Sequence, residues 1–260
     1  MTGIPETLYK YRNWNDEWNK RNLTHSEIYF ASASQFNDPY DCAIPFSYDP
    51  GELTEEKQFK KHLEIARKMN PGLEESEIHA KAYLNQQNSM VTDPEHIKKM
   101  SLHRQESFSN TFGVLSLTTK RNNFLMWSHY ANSHNGYCIG YNSELLFNQI
   151  NTVRFSRVEY DDELPKFKLE EDYHLRMLKY AFWKSSVWSY EEEYRMINDK
   201  PRTTLKLDPV VIQEIILGNK LSQSVKFSII DLVKDKYPNA KIYDTQLSSL
   251  KFEVELMNIY

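Results

Sequence analysis

"FGVLSLTTKRNNFLMWSHYANSHNGYCIGY", residues 112–141, carries two structural periods in one short run. Its first part, "FGVLSLT", alternates apolar and polar side chains and is flanked by polar residues, which predicts a strand. The middle, "NNFLMWSHYA", sets Phe124, Trp127 and Tyr130 at helical spacing behind an asparagine cap. "GYCIGY" then returns to a strand. A strand, a capped helix and a second strand within so short a span predict an α+β chain.

Outward from this stretch the same alternation continues. "LYKYRNW" (8–14) reads as a strand with Tyr9 and Tyr11 on one face and Lys10 and Arg12 on the other. After a polar helical stretch, "EIYFASASQFNDPYD" (27–41) gives a strand over Ile28–Ala31 and then a loop turning at Asn37-Asp38-Pro39. Residues 51–109 differ: they are charged, poor in β-branched residues, broken at Asn70-Pro71-Gly72 and capped at Asp93-Pro94-Glu95. Two or three helices are predicted there, as an insertion or lid beside a β-rich core. Downstream come a Ser-capped helix near 143–149, a strand in "TVRFSRVEY" and a charged helix over about 168–184. A strand ending at "EIILG", a helix near 222–236, and strands in "AKIYDTQL" and "KFEVELMNI" complete the chain. The expectation is one α+β domain over 1–260, with a mixed, mostly antiparallel β core and the 51–109 helical insertion.

The chain has 260 residues, 40% hydrophobic and 26% charged, enough to bury a substantial core. A net charge of −4 advertises no global attraction to nucleic acid, although basic positions in the insert and in "KPRTTLKLD" could supply a local phosphate contact. Aromatic residues reach 13%, enough to line a cleft as well as fill a core. Cys42 and Cys138 stand in unlike contexts without CxxC spacing, and the N-terminus lacks an apolar signal segment. No apolar run is long enough to span a bilayer. A reduced, cytoplasmic protein without a membrane partner is expected.

"WSYEEEYRMI" (188–197) is ambiguous. Ser189 with Glu192 matches a capping box and Glu191 with Arg195 an i, i+4 pair, which favours a solvated helix start. A strand instead places Glu191, Glu193 and Arg195 on one face. Same-face glutamates then sit roughly 6.5 Å apart and repel by roughly 2.5 kcal/mol at an effective dielectric near 20, so they need a nearby cation. The working expectation is a capped turn through Glu191 and a strand from about Glu192, with Glu193 and Arg195 facing a cleft together. His129 and His134 miss the i, i+4 spacing of a helical zinc pair, and no metal site is expected. GxGxxG, P-loop, GxSxG and HExxH motifs do not occur.

Several of these segments resemble a bacterial family known as domain of unknown function 2971. The resemblance runs through "LYKYR", "IYFASASQFNDPYD", "LSLTTKRNNFLMWSHYANSHNGYCIGY", "VWSYEEEYRMI" and "IQEIILGN", with "LMWSHYANSHNGYCIGY" and "FNDPYD" its most specific parts. More distantly the set is similar to the ADP-ribosyltransferase fold, whose three motifs fall here on Arg12, Ser32 and Glu193. Glu191-x-Glu193 also matches the E-x-E form of the third motif, in which the second glutamate is catalytic. The resemblance implies an NAD-consuming transferase of toxin or anti-phage type, acting on a protein or nucleic-acid acceptor and restrained by an antitoxin or inhibitor partner. It implies Glu193 as the catalytic carboxylate, with Glu191 standing as the alternative, Arg12 as the cation on NAD and Ser32 as an orienting hydroxyl. Tyr9, Tyr29, Asn37, Asp38, His129, Tyr130 and Arg195 are further candidates for shaping the NAD site. Two rivals stand beside this reading: a binding or regulatory module that keeps the fold without chemistry, and a metal-independent nuclease using His129 or His134 with Glu193. In the module, "MWSHYA" and "FNDPYD" are packing and loop devices, Arg12 is a surface residue of an edge strand and Ser32 a turn or cap residue.

Overall fold

The computed structural model describes residues 3–150 and 152–260, with all their side chains except those of Tyr173 and His174. The chain divides into two compact units. The first takes residues up to Gln35, Asn110–Tyr160 and Ser186–Tyr260; the second takes Phe36–Ser109 and Asp161–Ser185. The helical stretch expected over 51–109 lies within the second unit, which is wider and includes a second length of chain.

The first unit is built on one mixed, mostly antiparallel sheet. It opens with β1 (Thr7–Asn13), α1 (Glu17–Thr24) and β2 (Glu27–Ser32). After the chain returns come β3 (Gly113–Thr118), α5 (Phe124–Tyr130), β4 (Gly136–Asn142), α6 (Ser143–Gln149), β5 (Arg154–Arg157) and β6 (Glu159–Asp161). The last part holds β8 (Glu193–Asn198), β9 (Thr203–Lys206), β10 (Ile212–Leu217), α8 (Gln223–Lys236), β11 (Lys241–Leu247) and β12 (Val254–Asn258). The second unit carries α2 (Glu55–Met69), α3 (Glu75–Gln87), α4 (Pro94–Thr111), α7 (Tyr173–Phe182) and β7 (Trp183–Ser185).

In the sheet, β1 lies between β4 and β3, and β10 follows β4. Among the described residues of this sheet, only β10 and β11 run parallel, joined by α8 as a crossover helix. β1 and β4 pair along their whole length, from Thr7–Asn142 to Asn13–Gly136. β1 meets β3 at Tyr9–Thr118, while β3 pairs along its whole length with β8. At its other end β3 pairs with β2, through Ala31–Val114 and Ser32–Gly113. The sheet therefore has a seam: β1 and β2 share one edge of β3, each holding one end of it.

Register assigns every side chain to a face, because opposed residues project together and neighbours along a strand alternate. Leu8, Leu115, Leu117, Ile139, Tyr141, Met196 and Ile215 fill the larger core on one face, with Ile229 and Val233 of α8. Tyr9, Tyr11, Cys138 and Ile216 form a smaller cluster on the other face, covered by Met126 and Trp127 of α5. Trp127 is fully buried and meets Tyr11 edge to face, ring centres 5.0 Å apart. Gly136 has no room for a side chain: a Cβ there would stand 2.1 Å from the Arg12 carbonyl oxygen.

Most sequence expectations for these elements hold, with shifts of a few residues. The strand at 8–14 is β1, the asparagine at 123 caps α5 by accepting from the Leu125 and Met126 amides, and Asp93 precedes α4. α6 is capped by the Asn142 side chain rather than by a serine, which becomes its first residue. The charged helix expected over about 168–184 is shorter, since Lys168–Asp172 lies outside α7 and Trp183–Ser185 is extended. Among the described residues no helix is long and apolar enough to cross a membrane.

Candidate functional site

The stretch that was ambiguous in sequence becomes a 3-10 turn over Ser186–Glu191 followed by β8. Glu192 joins them with φ +42, a left-handed conformation that non-glycine residues adopt uncommonly. That kink ends the turn and starts the strand one residue later than expected. Thr118 fixes the junction by donating its hydroxyl to the Glu191 carbonyl, and the Glu193 amide donates to Tyr160 Oη at 3.0 Å.

Glu193 and Arg195 do share a face. Arg195 Nε lies 2.8 Å from Glu193 Oε1 and its second nitrogen, Nη2, 2.9 Å from Oε2, a two-point grip on the carboxylate. The pair is dry, Arg195 being 0% and Glu193 3% exposed. Glu191 is also buried, and Tyr130 Oη donates to its Oε1 at 2.5 Å. Between them Glu192 stays half-exposed, taking Thr119 Oγ1 at 2.8 Å and Lys120 Nζ at 2.9 Å. Its burial raises the carboxyl pKa, but those two bonds outweigh it and the net shift is downward.

Tyr9, Thr118 and Glu193 lie in one row across the same face, and Gly140 and Glu214 extend it on the other side of β1. Tyr9 Oη donates to Glu214 Oε2 at 3.0 Å, and Arg121 Nη1 stands 3.1 Å from the same oxygen. Burial first, then the Glu214 charge, pushes the Tyr9 hydroxyl well above the ordinary tyrosine range. Lys10 starts on the opposite face, yet its ammonium donates to the Ser116 carbonyl at 2.5 Å, across the seam. Burial holds Lys10 well below the usual lysine pKa and Arg12 adds to that shift, while Glu193 and Glu191 pull it back upward.

An aromatic rim adjoins the buried carboxylates. His129 Nδ1 lies 2.8 Å from Tyr190 Oη, and the His129 ring is 6.5 Å from Trp188 and 6.2 Å from Tyr130. Trp188 and Tyr190 are 6.1 Å apart, and His129 is exposed. Tyr130 belongs to this rim and to Glu191 at once. Aromatic faces with a polar tip at their base suit a planar heterocycle.

The remaining expected residues lie elsewhere. Arg12 is three residues from Tyr9 on the same regular strand, so it projects to the other face, among Tyr137 and Tyr141. Its Nε donates to Asn22 Oδ1 of α1 at 2.8 Å. Ser32 pairs with Gly113, five residues from Thr118 along β3, which puts it on that other face too. By strand geometry it stands roughly 16 Å along β3 from the row of Glu193. The sheet thus brings Tyr9, Tyr130, His129 and Arg195 to the side of Glu193, and it separates Arg12 and Ser32 from it. Ser32 Oγ lies 3.0 Å from Ser34 Oγ, and its amide donates to Gln35 Oε1, which also accepts from Tyr29 Oη. Asn37 and Asp38 belong to the second unit, where Asp38 Oδ1 accepts from the Tyr40 amide at 2.9 Å and closes the Asn-Asp-Pro turn.

Sequence reasoning missed Lys10, Trp188 and Tyr190 as neighbours of the carboxylates, and it read Glu191 as the end of a capped turn while keeping it beside Glu193 as a candidate catalytic carboxylate. The Glu191-x-Glu193 spacing was the available signal for Glu191. Nothing local marks Lys10, whose position depends on the seam. Among the described residues no cluster of three or more His, Cys, Asp or Glu side chains could hold a metal ion.

Residues 126–196 match the family model described as a protein of unknown function, DUF2971. The matched segment begins inside α5 and ends in β8, so it holds Tyr130, the rim, Glu191, Glu193 and Arg195. No curated protein and no solved structure matches the chain.

Proposed function

We propose that the chain is an NAD-consuming ADP-ribosyltransferase whose site lies between the aromatic rim and the Glu191-x-Glu193 end of β8. The observation that carries this reading is the pair of buried carboxylates behind that rim, one of them held by a rim hydroxyl, Tyr130 to Glu191 at 2.5 Å. The rim supplies faces for the nicotinamide ring. Cleavage moves the bonding pair of the ribose–nicotinamide bond onto the departing nicotinamide and leaves an oxocarbenium-like carbon. A fixed carboxylate beside that carbon stabilises the positive charge where it develops. An acceptor nucleophile then forms the new bond and gives up its proton.

The geometry favours Glu191 for the substrate-facing role. Both Glu193 oxygens are gripped by Arg195, so Glu193 holds the cation while Glu191 reaches the rim through Tyr130. Arg12 and Ser32, on the far face, carry no part of this chemistry. The acceptor is a protein or nucleic acid, and a toxin or anti-phage role with an inhibitor partner follows from the family resemblance rather than from the site.

A second reading has its own support: the Glu193–Arg195 pair is buried and joined by two hydrogen bonds, and Arg12 and Ser32 are turned away. These features fit a binding module built on the same sheet without catalysis. Incubating the purified chain with NAD labelled in its adenosine half, together with lysate fractions, separates the two. Transferred label and released nicotinamide support the transferase, whereas NAD binding without turnover supports the module.

A further inference from the structure

The second unit holds a cavity of about 600 Å³ that the reading above does not use. It opens between α2, α3 and α4 and is closed on another side by Leu169 and Arg176. That volume lies within the range of roughly 300–1,000 Å³ typical of small-molecule sites.

Two features define what it would take. Lys61, Arg104 and Arg176 line it, together with His62 and His96, and none of the residues lining it is an aspartate or glutamate. These five basic side chains come from α2, α4 and α7, so they are not one solvated face of a single helix. Burial shifts His62 downward, towards its neutral form, which leaves the permanent charge to the lysine and the two arginines. The Arg104 guanidinium lies over the Phe46 ring, 3.8 Å from its centre. Phe46 is itself held edge to face by Tyr48 and stacked on Phe167. Arg176 gives Nη2 to the carbonyls of Lys168 and Leu169 at 3.0 and 2.9 Å, while its buried Nε has no hydrogen-bond partner among the described residues. The rest of the wall sets apolar, adaptable Ile65, Met90, Ile97 and Met100 beside the polar side chains of Gln58, Asn85, Asn88 and Ser89.

An anion alone would not need this apolar wall, and an apolar ligand would not need three permanent cations. The geometry points to a mononucleotide-binding site in the second unit, with the phosphate met by Arg104, Arg176 and Lys61 and the base lying along the Tyr48 and methionine wall. Planar guanidinium groups suit a phosphate through paired donors, and a stacked guanidinium also offers a base a flat cationic surface.

The test uses the full chain and isothermal titration calorimetry with AMP, GMP, CMP and UMP, with adenosine and inorganic phosphate as the two half-ligands. At least one mononucleotide should bind about tenfold or more tightly than either half-ligand, and its binding should weaken as salt rises. Arg176→Gln and Lys61→Ala should each weaken binding about tenfold while thermal unfolding stays in place, since each removes one charge-assisted contact. Glu191→Gln should leave mononucleotide binding unchanged, which separates this site from the proposed NAD site. Absence of binding by all four mononucleotides overturns the inference. So does phosphate binding as tightly as AMP, or binding that both variants leave intact.

Discussion

The sheet unit and the helical unit use polar residues in opposite ways. In the sheet unit Glu191, Glu193 and Arg195 are buried, with Tyr130 and Arg195 as partners close at hand, and β4 is buried from Gly136 to Tyr141. In the helical unit α2 buries only Ala66, and α3 only Ile78 and Ala82, while Met69, Tyr83, Leu84 and Met90 stay exposed. Lys61, Arg104 and Arg176 line an open cavity there, while the pair of Lys184 with Asp41, 3.3 Å apart, is buried in the manner of the sheet unit. The contrast implies that substitutions at Glu193 damage folding, whereas those at Lys61 and Arg176 damage ligand binding.

The sharpest way to break that contrast is to remove one half of the dry pair. Glu193→Ala removes the two-point carboxylate grip on buried Arg195 and should cost about 3–5 kcal/mol in urea unfolding. A loss below 1 kcal/mol would show that water reaches Arg195 and that the pair is not dry. Ile78→Ala in the small Ala66–Ile78–Ala82 cluster of the helical unit should cost about 2 kcal/mol, at the low end for such truncations, because the surroundings are thin enough to collapse. The smallest effect belongs to Thr54→Ala: its side chain accepts from the Lys57 amide and caps α2, and its loss should cost about 1 kcal/mol.

Alkaline pH tests the same contrast on whole units. Burial is the first cause that raises the hydroxyl pKa of Tyr9, Tyr11, Tyr137, Tyr141 and Tyr237 in the sheet unit. In the helical unit Tyr180 is pushed up to about 12, again chiefly by burial. The unfolded chain ionises tyrosine near the ordinary value of 10.0, while the folded chain resists. The stabilising contribution of each buried phenol is therefore complete below pH 10 and shrinks as pH rises towards the folded values. Phenolate absorbance of these tyrosines should appear together with loss of sheet circular dichroism above pH 10. Absorbance that rises well before the sheet melts would mean these hydroxyls are open to water.

Much of the sheet was legible because one-face burial writes a period of two into the chain. "FGVLSLT", "GYCIGY" and "EIILG" each became a strand, and the asparagine before Phe124 capped the helix it announced. The seam was not legible. Whether Lys10 reaches Ser116, and whether Arg12 shares a face with Glu193, depends on strand order and register between segments about a hundred residues apart. Strand periodicity could place Tyr9 and Arg12 on opposite faces, but it could not say which of them Glu193 would join. The local helix signals at Ser189–Glu192 were also misleading, since the left-handed Glu192 ends the turn that a capping box would have continued.

On the proposed transferase reading, Glu191, held by Tyr130, faces the ribose of NAD. Release of nicotinamide from NAD, followed with lysate fractions as acceptor, is the decisive assay. The intact chain should turn over NAD, Glu191→Gln should lose about 10²–10³-fold, Tyr130→Phe should lose less, and Arg12→Gln should keep its activity. No turnover by the intact chain, or a Glu191→Gln variant as active as the original, would contradict that reading.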